Sequence, residues 1–104
     1  MAEHTEYPLA STRRVAIYIS NPDSHLAGNQ RAAMQRYADN MDWLVTVIED
    51  DRERILDGAA RSAFDLVLCW RIGDLRDAEV LFERLSAHGV ELLALAQSCA
   101  ALAE

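Results

Sequence analysis

Arg14-Val15-Ala16-Ile17-Tyr18-Ile19-Ser20-Asn21-Pro22-Asp23 is the stretch that decides the fold. Val15 to Ile19 is an unbroken apolar run, rich in β-branched residues, with a charge before it and a Ser-Asn-Pro-Asp turn cluster after it. Alternating polarity would mark a strand with one wet face, whereas a continuous run marks a strand buried on both. Such a strand needs a covering layer on each side.

The rest of the chain supplies those layers. From Ser24 to Asn40 the apolar and small positions Leu26, Ala33, Met34, Tyr37 and Met41 fall near helical spacing, with Ser24 placed to act as N-cap. Trp43 to Ile48 gives a second strand that ends at Glu49-Asp50-Asp51. Arg52 to Arg61 carries Ile55, Leu56 and Ala59 at helical spacing, weakened by Gly58. Phe64 to Trp70 is a third strand. Asp74 to His88 follows as a helix with Leu75, Ala78, Leu81, Phe82 and Leu85 on one stripe, and Gly89 is a ready C-cap. Val90 to Ala96 is a fourth strand, and Ser98 to Glu104 could open a last helical turn.

The order βαβαβαβ predicts an α/β three-layer sandwich with a mostly parallel four-stranded sheet. Right-handed crossovers then gather the loops after the strands along one edge, where sites form in such folds. That edge collects Ser20 to Ser24, Glu49 to Arg52, Arg71 to Asp74 and Gln97 to Ser98. Residues 1–12 mix charged, proline and small residues without periodicity and read as a flexible tail. Residues 13–104 read as a single domain.

Composition narrows the function. At 104 residues and 51% hydrophobic, the chain is long enough for one core. Its 17 acidic residues outnumber 10 basic ones, all arginine, for a net charge of −7. Nucleic-acid binders draw affinity from neutralising phosphates, so this balance disfavours DNA and leaves only a local patch, for which Arg13, Arg14, Arg31 and Arg71 are the candidates. No stretch reads as a signal peptide or a membrane span, so a cytoplasmic location with no membrane partner is expected.

Cys69 and Cys99 lie in or beside apolar runs without paired spacing and read as buried free thiols. His4, His25 and His88 are scattered, and Glu49-Asp50-Asp51 reads as a solvated strand end, so neither metal nor cofactor is expected. Ser20-Asn21-Pro22-Asp23-Ser24 lacks the glycines of a nucleotide loop. Trp70 is expected to pack in the core with Arg71 at the rim.

Four ordered segments carry a family resemblance. Arg14-Val15-Ala16-Ile17-Tyr18 resembles the R-V-A-I-Y-x-R-V-S opening of serine recombinases, the resolvases and invertases. Leu26 to Trp43, with Gln30-Arg31, Tyr37-Ala38 and Trp43, is similar to that family's S-L-x-x-Q-R-x-A-L-x-x-Y-A-x-x-x-G-W segment. Phe64 to Ile72 resembles F-D-V-V-L-V-W-K-L, and His88-Gly89-Val90-Glu91-Leu92 resembles R-G-V-x-L. The resemblance spans about Arg13 to Gln97 and implies a resolvase-like fold.

In that family a serine hydroxyl attacks a DNA phosphodiester while arginines stabilise the transition state, and both parts are needed. Laid on this chain, the nucleophilic serine falls on Pro22 and the arginine two places earlier on Ser20. The family's D-R-L-S-R falls on Gly73-Asp74-Leu75-Arg76-Asp77, so both arginines become aspartates. Of the family's active-site set only Gln30 stays in place. The stretch from Arg52 to Ala63 is shorter than the family's, and the long dimer helix and DNA-binding domain find no counterpart before Glu104. The expectation is a catalytically inactive domain with no catalytic residues, working by protein contact as a homodimer or as a modulator of a DNA-associated partner. Ser20, Gln30 and Arg71 are its candidate binding residues. The alternative is a small DNA-binding or regulatory factor related to site-specific recombination.

Overall fold

The computed structural model describes residues 13–96. In chain order these form β1 (Arg14–Tyr18), α1 (Ala27–Asn40), β2 (Leu44–Glu49), α2 (Arg52–Ala60), β3 (Leu66–Cys69), a 3-10 turn (Ile72–Asp74), α3 (Ala78–Ala87) and β4 (Glu91–Ala94). The sheet runs β2-β1-β3-β4, and each neighbouring pair is parallel. β1 and β3 therefore occupy the middle, as their continuous apolar runs require: Val15, Ala16, Ile17, Val67, Leu68 and Cys69 have no exposed surface.

The helices divide between the two faces. α1 covers Val15, Ile17, Ile19, Leu66 and Leu68, with Met34 fully buried at the contact. α2 and α3 cover Ala16, Tyr18, Val67 and Cys69 from the other side through Ile55, Ala59, Leu81 and Leu85. The edge strand β2 is irregular: Val15 pairs with Val45 but Ala16 pairs with Val47, a bulge that leaves Thr46 as the extra residue. Val45 and Val47 consequently face opposite layers.

Each helix ends in the same way. The residue past the C-cap takes a left-handed conformation, at Asp42 (φ 60), Ser62 (φ 58) and Gly89 (φ 72). In each case its N–H and the next one fold back on the last turn, as where Gly89 donates to Ser86 O at 2.9 Å and Val90 to Leu85 O at 2.9 Å. Gly89 is thus the cap expected from sequence, while an aspartate and a serine hold the two equivalent positions.

Helix starts depart from expectation. Ser24 does not cap α1. Its Oγ accepts from Leu26 N–H at 3.1 Å within a turn, and the helix opens only at Ala27. α3 begins at Ala78 rather than Asp74, because the 3-10 turn comes first and Asp77 then breaks the path with φ 50. Leu26, Met41 and Phe82, placed on helical stripes by spacing, are exposed at 47%, 47% and 53%. The tail 1–12, Cys99 and the turn from Ser98 lie outside the described residues.

Candidate functional site

The chain crosses from β1 to β2 on one side and returns over β1 to reach β3, so the topology reverses between β1 and β3. In open parallel sheets a crevice forms beyond the carboxyl ends of the strands at that point. Here it is a cleft of about 460 Å³ lined by Tyr18 at the end of β1, Ser20 after it, Asp50, Asp51 and Arg52 after β2, and Asp74, Leu75 and Arg76 after β3.

Arg52 shapes the cleft. Its guanidinium donates to the carbonyl oxygens of Arg76 and Asp77, the second at 2.9 Å. Asp77 is the left-handed residue before α3, so a side chain from the start of α2 pins the strained end of the following loop. Asp51 is engaged too: it is the N-cap of α2, and its Oδ1 accepts from Glu53 N–H at 2.9 Å. Asp50 and Asp74 are exposed at the rim.

Two ionisable groups are buried in this part of the core, Tyr18, which lines the cleft, and Cys69 on the neighbouring strand β3, which has no exposed surface. Burial pushes the Tyr18 hydroxyl above its ordinary value, against the opposing pull of Arg52. Burial also pushes the Cys69 thiol up to about 12, with Asp74 adding to the shift. Both groups are therefore neutral near neutral pH, and the charges facing the cleft are three aspartates against Arg52 and Arg76.

The residues singled out from sequence do not converge. Ser20 lines the cleft, half-buried. Gln30 lies on α1 and Arg71 is exposed at the entry to the 3-10 turn, where its carbonyl accepts from Asp74 N–H at 3.1 Å; neither borders the cleft. Pro22 faces a separate hollow of about 320 Å³ with Ile19, Ala27, Arg31 and Ile48. Asp74 joins Ser20 in the cleft, and Asp77 contributes its backbone to the pinned loop. Trp70 packs partly buried on the α1 side, as expected.

The proposed arginine patch is divided. Arg13 and Arg14 sit where β1 begins and are paired with Glu91 at 2.7 Å and Asp65 at 3.0 Å. Arg71 follows the end of parallel β3, and Arg31 borders the hollow beside the end of β1, so these two lie at the opposite end of the sheet. Sequence reasoning placed Arg52 on the strand-end edge only as the last residue of Glu49 to Arg52, without its contacts, and passed over Tyr18, which read as a strand interior. The signal for Tyr18 is its place as the last residue of β1 on the α2–α3 face. Among the described residues no group of three or more His, Cys, Asp or Glu could hold a metal ion, and no helix is long and apolar enough to cross a membrane. No protein-family model, curated protein or solved structure matches the chain.

Proposed function

We propose that this chain is a catalytically inactive serine-recombinase-like domain that works through protein–protein contact, as a homodimer or as a modulator of a DNA-associated partner in the cytoplasm. The observation that carries the reading is the cleft at the strand ends. Its serine hydroxyl, Ser20, shares the space with Asp50, Asp51 and Asp74, and one of its two arginines is committed to the carbonyls of Arg76 and Asp77. A phosphodiester brought there meets the Asp74 carboxylate where the resemblance expects a guanidinium group, with Asp50 and Asp51 beside it. Loss of a single oxyanion donor typically costs roughly 10² to 10³ in rate, and here the nucleophile's position is also taken by Pro22. The four segments that resemble the recombinases supply the family half of the reading.

The DNA-binding alternative finds less support, because its four arginines fall at two ends of the sheet and two of them are ion-paired. The test is covalent capture. The full chain is incubated with supercoiled DNA and with nicked duplexes, then denatured and run on a gel. No protein–DNA adduct is expected. An adduct that disappears in Ser20→Ala or Ser24→Ala overturns the proposal.

A further inference from the structure

β4 ends the sheet, and among the described residues no strand covers its outer edge. Glu91 N–H donates inward to Asp65 O at 3.1 Å. By the alternation of a parallel ladder, the N–H and C=O groups of Leu92 and the N–H of Ala94 then point outward, away from β3, before the chain turns helical at Leu95. The opposite edge differs. β2 carries the bulge at Thr46, and a bulge is one of the devices that keep an edge from pairing with another chain. β4 keeps an unbroken register over its whole length, from Glu91 to Ala94.

Beside this open edge runs an apolar groove. Ile72, Ala78, Phe82 and Leu92 line a hollow of about 550 Å³, and a second of about 450 Å³ continues past Phe82 along Gly89 to Leu92. Phe82 is 53% exposed although it sits on the stripe that α3 turns toward the sheet. The groove's charged residues are Glu79 and Glu83 on α3 and Glu91 on β4, and no basic side chain lines either hollow. Arg13 engages Glu91 at 2.7 Å, whereas no ion pair involves Glu79 or Glu83 among the described residues.

We propose that the β4 edge and the Phe82 groove receive an extended basic segment of a partner protein, added to the sheet as a further strand. Its backbone bonds to Leu92 and Ala94, its apolar side chains lie beside Phe82 and Ile72, and its Lys or Arg side chains reach Glu79 and Glu83. Charge complementarity selects this occupant over a second copy: the chain carries −7, and an acidic rim would meet the same acidic rim. The inference rests on the reading that the domain works by protein contact, and it names the surface and the chemistry of the partner.

The test titrates the ¹⁵N-labelled full chain with a synthetic ten-residue peptide in which every second residue is valine or lysine in turn and the residues between are threonine, so that both types share one face of an extended strand, with glutamate replacing lysine in the control. The lysine peptide is expected to shift and protect the Leu92 and Ala94 amides. Phe82→Ser, and separately Glu79→Lys with Glu83→Lys, should weaken it at least tenfold while the spectrum of the folded domain persists. Shifts that map elsewhere, equal binding of the control, or no binding overturn the proposal. Protection of the same amides without peptide, accompanied by a concentration-dependent dimer mass, assigns the edge to a second copy and overturns it too. Failure here with no covalent DNA adduct removes this docking site alone, whereas an adduct removes the reading beneath it.

Discussion

Arg14 and Asp65 clasp each other across 51 residues of chain at the point where β1 and β3 begin. Asp65 Oδ2 accepts from the Arg14 backbone N–H at 3.1 Å and from Nε at 3.3 Å, while Oδ1 accepts from Nη2 at 3.0 Å. The backbone of Asp65 extends the connection: its N–H donates to Arg14 O at 2.7 Å, and its carbonyl accepts Glu91 N–H at 3.1 Å. One residue thereby ties the starts of three strands and sets the register in which Val15 meets Leu66. Both side chains are nearly half exposed, at 43% and 47%, so the ion pair itself contributes little and its role is to position the strands.

The clasp makes stability sensitive to acid. The hydrogen bonds from the Arg14 side chain and backbone hold the Asp65 carboxyl below its ordinary value. The folded pKa lies under the unfolded one, so the stabilisation is complete above the unfolded value and is lost as pH falls through the folded value. Asp65→Asn should lower the urea midpoint by a small margin at neutral pH, and the gap to wild type should close in acid as pH falls through the lowered Asp65 value. A gap of equal size at neutral pH and in acid contradicts the assignment.

Gly58 lies inside α2, where replacing glycine by alanine ordinarily stabilises a helix by about 1 kcal/mol. Here a Cβ would come within 2.6 Å of Phe64 Cε2, and Phe64 is only 1% exposed. Gly58→Ala should therefore destabilise the domain by about 1–3 kcal/mol, the usual cost of overpacking. Combining it with Phe64→Leu should recover part of that loss, giving a coupling in a double-mutant cycle. Stabilisation by Gly58→Ala alone would mean that the ring does not seat there.

Ser62 occupies the left-handed position after α2 that Gly89 fills after α3. An L-residue there carries strain of roughly 1–2 kcal/mol, and glycine removes it while adding flexibility to the unfolded chain. Ser62→Gly should raise stability by about 0.5–1 kcal/mol, measured by chemical denaturation. No gain, or a loss, contradicts this account of the helix end.

Arg52→Lys should loosen the cleft without unfolding the domain. A lysine ammonium lacks the guanidinium fork and does not reproduce its paired bonds to the Arg76 and Asp77 carbonyls. Amide hydrogen exchange across Asp74 to Ala78 should quicken by about tenfold, as expected for a bond to a charged donor worth about 1.5 kcal/mol, while the amides of β1 and β3 keep their protection. Unchanged exchange in the loop would show that Arg52 does not hold it.

The parts of this fold written in the sequence are those where local pattern and burial agree. β1 and β3 are legible because central strands of a parallel sheet are apolar on both faces, and Gly89 is legible because glycine suits the left-handed cap. Phe82 misled because the helical stripe shows which way α3 turns but not how wide the sheet beneath it is. β4 is the last described strand, so Phe82 meets a groove instead of a covering strand. In the cleft, Ser20 and Asp74 could be placed by their position just after strands. Arg52 is placed on the same edge by position, but its hold on the loop is not legible there, because its contacts join residues separated by 24 and 25 positions and exist only once α2 and the loop before α3 have packed. The division of Arg13 and Arg14 from Arg31 and Arg71 likewise depends on which end of each strand a residue occupies.

The central proposal is that this domain, for all its resemblance to the recombinases, does not engage a phosphodiester, and fluorescence-anisotropy titration of labelled duplex DNA at low salt tests it most directly. The prediction is no saturable binding up to ~10 μM protein, a range that even non-specific binders usually reach. Saturable binding that weakens when Arg31 and Arg71 are replaced by alanine would contradict it.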